Sequence, residues 1–120
     1  PEIFSWIPGS TVPVLGIGAG MEAMILAEGG SLKPCREIGM IDVHVRSDHP
    51  LCRGEDHLRA YALHHDGPVP PPQYDIIAES EQCPQIVSHR TMPRFGTLFQ
   101  PEVRNGWLIH RFLDLIQFII

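Results

Sequence analysis

The stretch Pro13-Val14-Leu15-Gly16-Ile17-Gly18-Ala19-Gly20-Met21-Glu22 sets alternating glycines between an apolar run and a run of helix formers. A strand that passes through so tight a turn straight into a helix makes a nucleophile elbow, whose central residue is held exposed beside the helix N-terminus. Here that residue is Gly18, which has no side chain to attack with. Toward the other end, Phe95-Gly96-Thr97-Leu98-Phe99-Gln100-Pro101-Glu102-Val103 puts an amide, Gln100, shortly before a carboxylate, Glu102. An amide neither accepts nor releases protons usefully near neutral pH, so Gln100 offers no general base.

The other reactive side chains are scattered. Cys35, Cys52 and Cys83 are odd in number and form no CxxC pair, which argues against a disulfide scaffold and fits a reducing compartment. Structural or inert roles are expected for all three. Asp42, His44, His49, Cys52 and His57 invite a metal reading, yet zinc sites show tighter spacing such as CxxC or HExxH. Neither a metal site nor a cofactor is therefore expected. His64-His65-Asp66 reads equally well as a polar turn ahead of Gly67-Pro68 or as the edge of a pocket.

The elements that must position these groups follow from periodicity and punctuation. Ile3–Ile7 ends a helix that Pro8-Gly9-Ser10 stops, Val12–Ile17 is a short buried strand and Met21–Glu28 is a helix capped at Gly29-Gly30. Glu37–Val45 alternates as a strand, with Ile38, Met40 and Asp42 on one side and Ile41, Val43 and Val45 on the other. Leu58–Leu63, Tyr74–Glu79, Gln85–Ser88 and Gly96–Phe99 are further strands. His64–Gly67 and the prolines from Pro68 to Pro72 are connections between them. Val103–Ile116 carries Leu108, Ile109, Phe112, Leu113 and Ile116 at helical spacing, an apolar stripe to lay on a sheet.

The two motifs and the order of elements between them resemble class I glutamine amidotransferases, most of all the glutaminase portions of GMP synthases. The first matches the family's nucleophile motif at every position but the cysteine, where Gly18 stands, and the second matches its histidine-and-glutamate motif with Gln100 in place of the histidine. The match runs from about Val12 to Phe112. It implies an α/β, three-layer, flavodoxin-like fold whose front part is missing, with residues 1–120 one partial domain. In the family a cysteine thiolate attacks the glutamine amide, a histidine shuttles the proton and a glutamate orients the imidazole. Of the three only Glu102 remains. Gly16, Gly20, Glu22 and His65 fall where the family binds its ligand, but Glu22 brings a negative charge against a carboxylate-bearing substrate. The front segment that polarises the amide carbonyl is also lacking.

The resemblance therefore implies a non-catalytic binding or structural subunit that docks on another protein chain, either a synthetase-like subunit or a chain completing the domain. Two alternatives are a glutaminase subunit supplying ammonia to a GMP-synthase-like ligase, and a sensor of an amino acid or nucleotide at the glycine turn. Composition narrows the partners. The 14 acidic and 9 basic residues give a net charge of −5, and no basic run could track a phosphate backbone, so nucleic acid is not expected. The most apolar stretch, Val12–Ala27, is interrupted by Glu22 and its glycines, so no membrane segment is expected and the cytoplasm is the default. The apolar end Phe118-Ile119-Ile120 and Trp107 are candidate partner contacts.

Overall fold

In the computed structural model, which describes residues 11–119, β1 (Val14–Ile17) runs through the glycine turn into α1 (Ala19–Ala27). Then follow β2 (Ser31–Val45), a single 3-10 turn at Pro50–Cys52, β3 (His57–Val69), β4 (Tyr74–Glu79), β5 (Pro84–His89), β6 (Arg94–Thr97), α2 (Pro101–Arg104) and α3 (Gly106–Ile119). The strands form one mixed sheet in the order β1-β6-β5-β4-β2-β3. Among the described residues only β1 and β6 are parallel, in register from Val14↔Arg94 to Ile17↔Thr97; the other neighbours are antiparallel.

Both sheet faces are covered, which makes three layers. On one face Met21, Met24 and Ile25 of α1 pack with Cys35, Tyr74, Cys83, Val87 and Leu98. On the other, Leu108 and Phe112 of α3 pack with Val43, Leu58, Ala60, Ile86, Phe95 and Phe99. Ile86 and Val87 are consecutive on β5 and serve opposite clusters, as alternation along a doubly covered strand requires. A side chain at Gly96 would collide with Met21, so that glycine lets α1 lie directly on β6.

Several expected elements are found, and two are redrawn. Gly29 takes φ +93 after α1, and the Gly30 N–H donates to Ile25 O at 2.9 Å, the left-handed cap expected of this pair. His64–Gly67 is not a turn: it lies inside β3, where Asp66 and Gly67 pair with Pro34 and Lys33. The hairpin is longer than its apolar alternation because main-chain pairing with the first half of β2 needs no apolar side chains. The last helix is broken at Asn105, whose side-chain amide donates to Arg59 O at 3.1 Å. Within α3, Leu113 is 45% exposed, and Trp107 and Leu115 instead flank the buried Leu108 and Phe112. The expected helix at Ile3–Ile7 and the side chains of Ile116 and Phe118–Ile120 lie outside what is described.

One buried ion pair fastens the far end of α1. Arg94 at the start of β6 bonds Glu28, the residue that caps α1, and both side chains are 2% exposed. Burial and the adjacent Glu28 carboxylate push the Tyr74 phenol far above its ordinary range, so it stays neutral beside the pair. Removing one partner strands a charge out of water. Arg94→Met is expected to cost about 3–5 kcal/mol of stability, whereas Glu28→Leu with Arg94→Met recovers much of that loss. Urea unfolding midpoints of the two variants test this; equal losses would show that the stranded charge is not the cause.

Candidate functional site

The parallel pairing of β1 with β6 carries both sequence motifs to the same end of the sheet. Ile17 and Thr97 are register partners, and beyond them the Gly18 N–H donates to Thr97 O at 2.8 Å. Chains leaving adjacent parallel strands on the same side are the usual place for a site in an open α/β sheet. Gly18 is buried and takes φ +56 and ψ −117, a conformation open to glycine and strained for any other residue. That is the backbone of an elbow. A Cβ built on Gly18 would stand 2.9 Å from Nε2 of Gln100, so the two motifs meet face to face.

The supporting residues hold this geometry. A Cβ at Gly16 would sit 2.9 Å from Gly20 O and from the Met21 backbone, so only glycine allows α1 to start this close to β1. Gly20 has open space beside it. The Gln100 N–H donates to Tyr61 O at 2.8 Å, which ties the second motif to β3. Glu102 lies in the first turn of α2 with its side chain exposed.

Glu22, in the first turn of α1, is half-buried, and burial followed by the charge of Asp66 raises its carboxyl pKa above the ordinary 4.5. The fold thus brings Glu22 near the β3 segment that holds His65, itself exposed.

The residues considered for a metal do not converge as the sequence ordered them. His44 and His57 stack with ring centroids 4.8 Å apart, and His57 lies 3.6 Å from Asp42, all three on the exposed side of the β2–β3 hairpin. His49 instead accepts from the Leu51 N–H at 3.1 Å and caps the 3-10 turn, with burial lowering its pKa. Cys52 is buried and free, its thiol pushed up to about 11 by burial.

Cys35 and Cys83 overturn the expectation drawn from their odd count: the structure joins them in a disulfide. Gly67 explains the fit, since a Cβ there would lie 3.0 Å from Cys35 Cβ and 3.5 Å from Cys83 Cβ, leaving the two cysteines room to meet. Around them stands a polar cluster that spacing did not disclose. His64 Nε2 lies 2.9 Å from Glu37 Oε1 and 3.9 Å from Cys83 Sγ, while Gln85 donates through Nε2 to Glu37 at 2.7 Å and to Ser80 Oγ at 3.1 Å. The members come from β2, β3, β5 and the turn before β5, so no short motif could have signalled them.

Comparison with known proteins agrees with the geometry. The family model for glutamine amidotransferase class-I matches residues 1–115. One of the subunits of the glutamine-hydrolyzing GMP synthase of Methanothrix thermoacetophila is 32% identical over 99 residues, which cover 78% of this chain and 55% of that protein. A glutamine-hydrolyzing GMP synthase of Caldanaerobacter subterraneus is 30% identical over 110 residues, covering 88% of this chain and 21% of that one. The chain thus spans about a fifth of the full synthase and about half the length of the separate subunit. A crystal structure from Thermoplasma acidophilum, provisionally assigned as a GMP synthase subunit, superposes with a TM-score of 0.86 at 24% identity, over 94% of this chain and 61% of that one.

Two substitutions separate strain from space at the turn. Gly18→Ala is expected to cost about 1–3 kcal/mol, because the positive φ is strained for alanine. Gly20→Ala, on a helix with open space beside it, is expected to be neutral or to stabilise by about 0.5–1 kcal/mol. Denaturant midpoints check both. A raised carboxyl pKa stabilises the fold below the ordinary value of 4.5, and that contribution is lost as pH climbs through the raised value. Glu22→Gln should therefore raise the melting temperature at pH 7 and lose that advantage below pH 4.5; an advantage equal at both pH values would refute the titration.

Proposed function

The chain belongs to the class I glutamine amidotransferase family, and from that premise we propose that it is a member without glutaminase activity which serves as a binding subunit. One observation carries the reading: Gly18 sits at the apex of an elbow, and a Cβ there would stand 2.9 Å from Gln100 Nε2, where the family's chemistry needs a thiol and an imidazole. Without a nucleophile no acyl intermediate forms, and without a base no proton is taken from water or returned to the leaving ammonia. Glu102 has nothing to orient. The acidic pair Glu22 and Asp66 works against a glutamine carboxylate at the same place.

The partner proposed is a synthetase-like subunit, by analogy with relatives that are GMP synthases or subunits of them. The face proposed for it is on the β2–β3 hairpin. Ile38 and Leu63 are register partners, 53% and 56% exposed, with Met40 at 40% alongside. Adjacent apolar side chains left in water on a hairpin are the composition of an interface core.

Incubated with glutamine, the purified chain is expected to release no ammonia above the buffer rate. Release that is lost when one of its own cysteines is mutated would overturn the reading. With the synthetase-like subunit, Leu63→Asp should weaken co-purification at least about tenfold, since a charge is forced into an apolar contact; undiminished binding would remove this face from the proposal.

A further inference from the structure

The buried cluster at Glu37, His64 and Cys83 lies outside the elbow and has no part in the function proposed above. Its ligand atoms, Glu37 Oε1, His64 Nε2 and Cys83 Sγ, all fall within 4.8 Å of one another. Side-chain exposure of His64 and Glu37 is 5% and 8%, and Cys35 and Cys83 are 4% and 2% exposed. We propose that, with Cys35 and Cys83 reduced, this cluster binds one zinc(II) ion through the two thiolates, His64 Nε2 and a Glu37 carboxylate oxygen.

The spacing suits the ion. Zinc bonds of about 2.3 Å to sulfur and about 2.0–2.1 Å to nitrogen or oxygen set tetrahedral edges of about 3.3 Å between N and O and about 3.5 Å between N and S. The corresponding separations here are 2.9 Å and 3.9 Å, so shifts of a few tenths of an ångström reach the coordination shape. Cys35 and Cys83 have Cα atoms 6.2 Å apart, and two zinc–sulfur bonds at a tetrahedral angle require their sulfurs to separate to about 3.8 Å once the bond between them is cleaved.

The surroundings are also those of a ligand set. Gln85, fully buried, donates to the same Glu37 oxygen that His64 approaches, and so fixes the carboxylate's direction. Ser80 Oγ accepts from Gln85 and from the Cys83 N–H at 3.2 Å, which braces the loop carrying the cysteine. His64 Nδ1 and Gln85 Oε1 are buried with no hydrogen-bond partner among the described residues, polar capacity that the fold itself leaves unmet. Cys35 and Glu37, two residues apart on β2, both turn inward, and the pairing of β2 with β3 shifts register beside them, between Pro34 and Glu37.

The disulfide and the ion exclude each other, because a sulfur bonded to sulfur is not a thiolate. A phosphine reductant cleaves the bond to two thiols and is itself oxidised to the phosphine oxide, with the oxygen and protons coming from water. Zinc then displaces the two thiol protons into the buffer.

The experiment titrates zinc(II) against a chromophoric chelator in the full chain, first oxidised and then reduced by phosphine without air. One equivalent bound only after reduction is the expected result. Cobalt(II) in the reduced chain should give a thiolate charge-transfer band and the intense visible absorption of a tetrahedral site. Cys83→Ser should abolish binding, Gln85→Met should weaken it by about 10–100-fold by freeing the Glu37 carboxylate, and His44→Ala with His57→Ala should leave it unchanged. No stoichiometric binding to the reduced chain, a cobalt spectrum without the thiolate band, or equal binding by the oxidised chain would overturn the proposal. The cobalt spectrum of the unaltered chain decides the matter even where a variant fails to fold.

Discussion

The near-contact between α1 and the strands beneath it is the constraint on which the rest of the molecule depends. Gly16 lets the first turn of α1 pass within 2.9 Å of where a Cβ on β1 would be, and Gly96 leaves on β6 the space that Met21 fills. Two glycines thus set the height of the helix over the sheet, and Met21, Met24 and Ile25 seal the gap with buried apolar surface. The Glu28–Arg94 pair then clamps the other end of the same helix to the start of β6. Held at both ends, α1 leaves the chain no gentler path out of β1 than the sharp turn at Gly18.

That turn has a cost in most sequences. A side chain at φ +56 and ψ −117 carries strain of about 1–3 kcal/mol, which an enzyme accepts in order to present its nucleophile. With glycine there the strain vanishes while helix, strand and hydrogen bond to Thr97 keep their places. On the proposed reading, chemistry left this domain through glycine at position 18 and an amide at position 100, neither of which asks the surrounding packing to change. Scaffold and reaction are separable because the first rests on main-chain geometry and burial and the second on side-chain atoms at two positions.

The β2–β3 hairpin shows the same separation on a larger scale. Its outer side carries Ile38, Met40 and Leu63 beside Asp42, His44, His57 and Arg59. The inner side of the same strands delivers Cys35, Glu37 and His64 to the buried cluster by β5. Period-two alternation makes both possible in one pair of strands.

Much of the fold, and the sharp turn at Gly18 within the candidate site, could be read from the residues alone, because the signals were local. The glycine alternation announces the elbow turn and Gly29-Gly30 the end of α1, each within about ten residues of chain. The strands expected at Tyr74–Glu79 and Gln85–Ser88 were found in place. What tertiary structure alone decided were the pairings across long stretches: the extension of β3 through His64–Gly67, the Cys35–Cys83 bond across 48 residues, and the meeting of Glu37, His64 and Gln85. Their cause is strand register and the space beside Gly67, which arise from the packing of distant segments. Residue type declared which groups were present; only the folded sheet determined which of them touch.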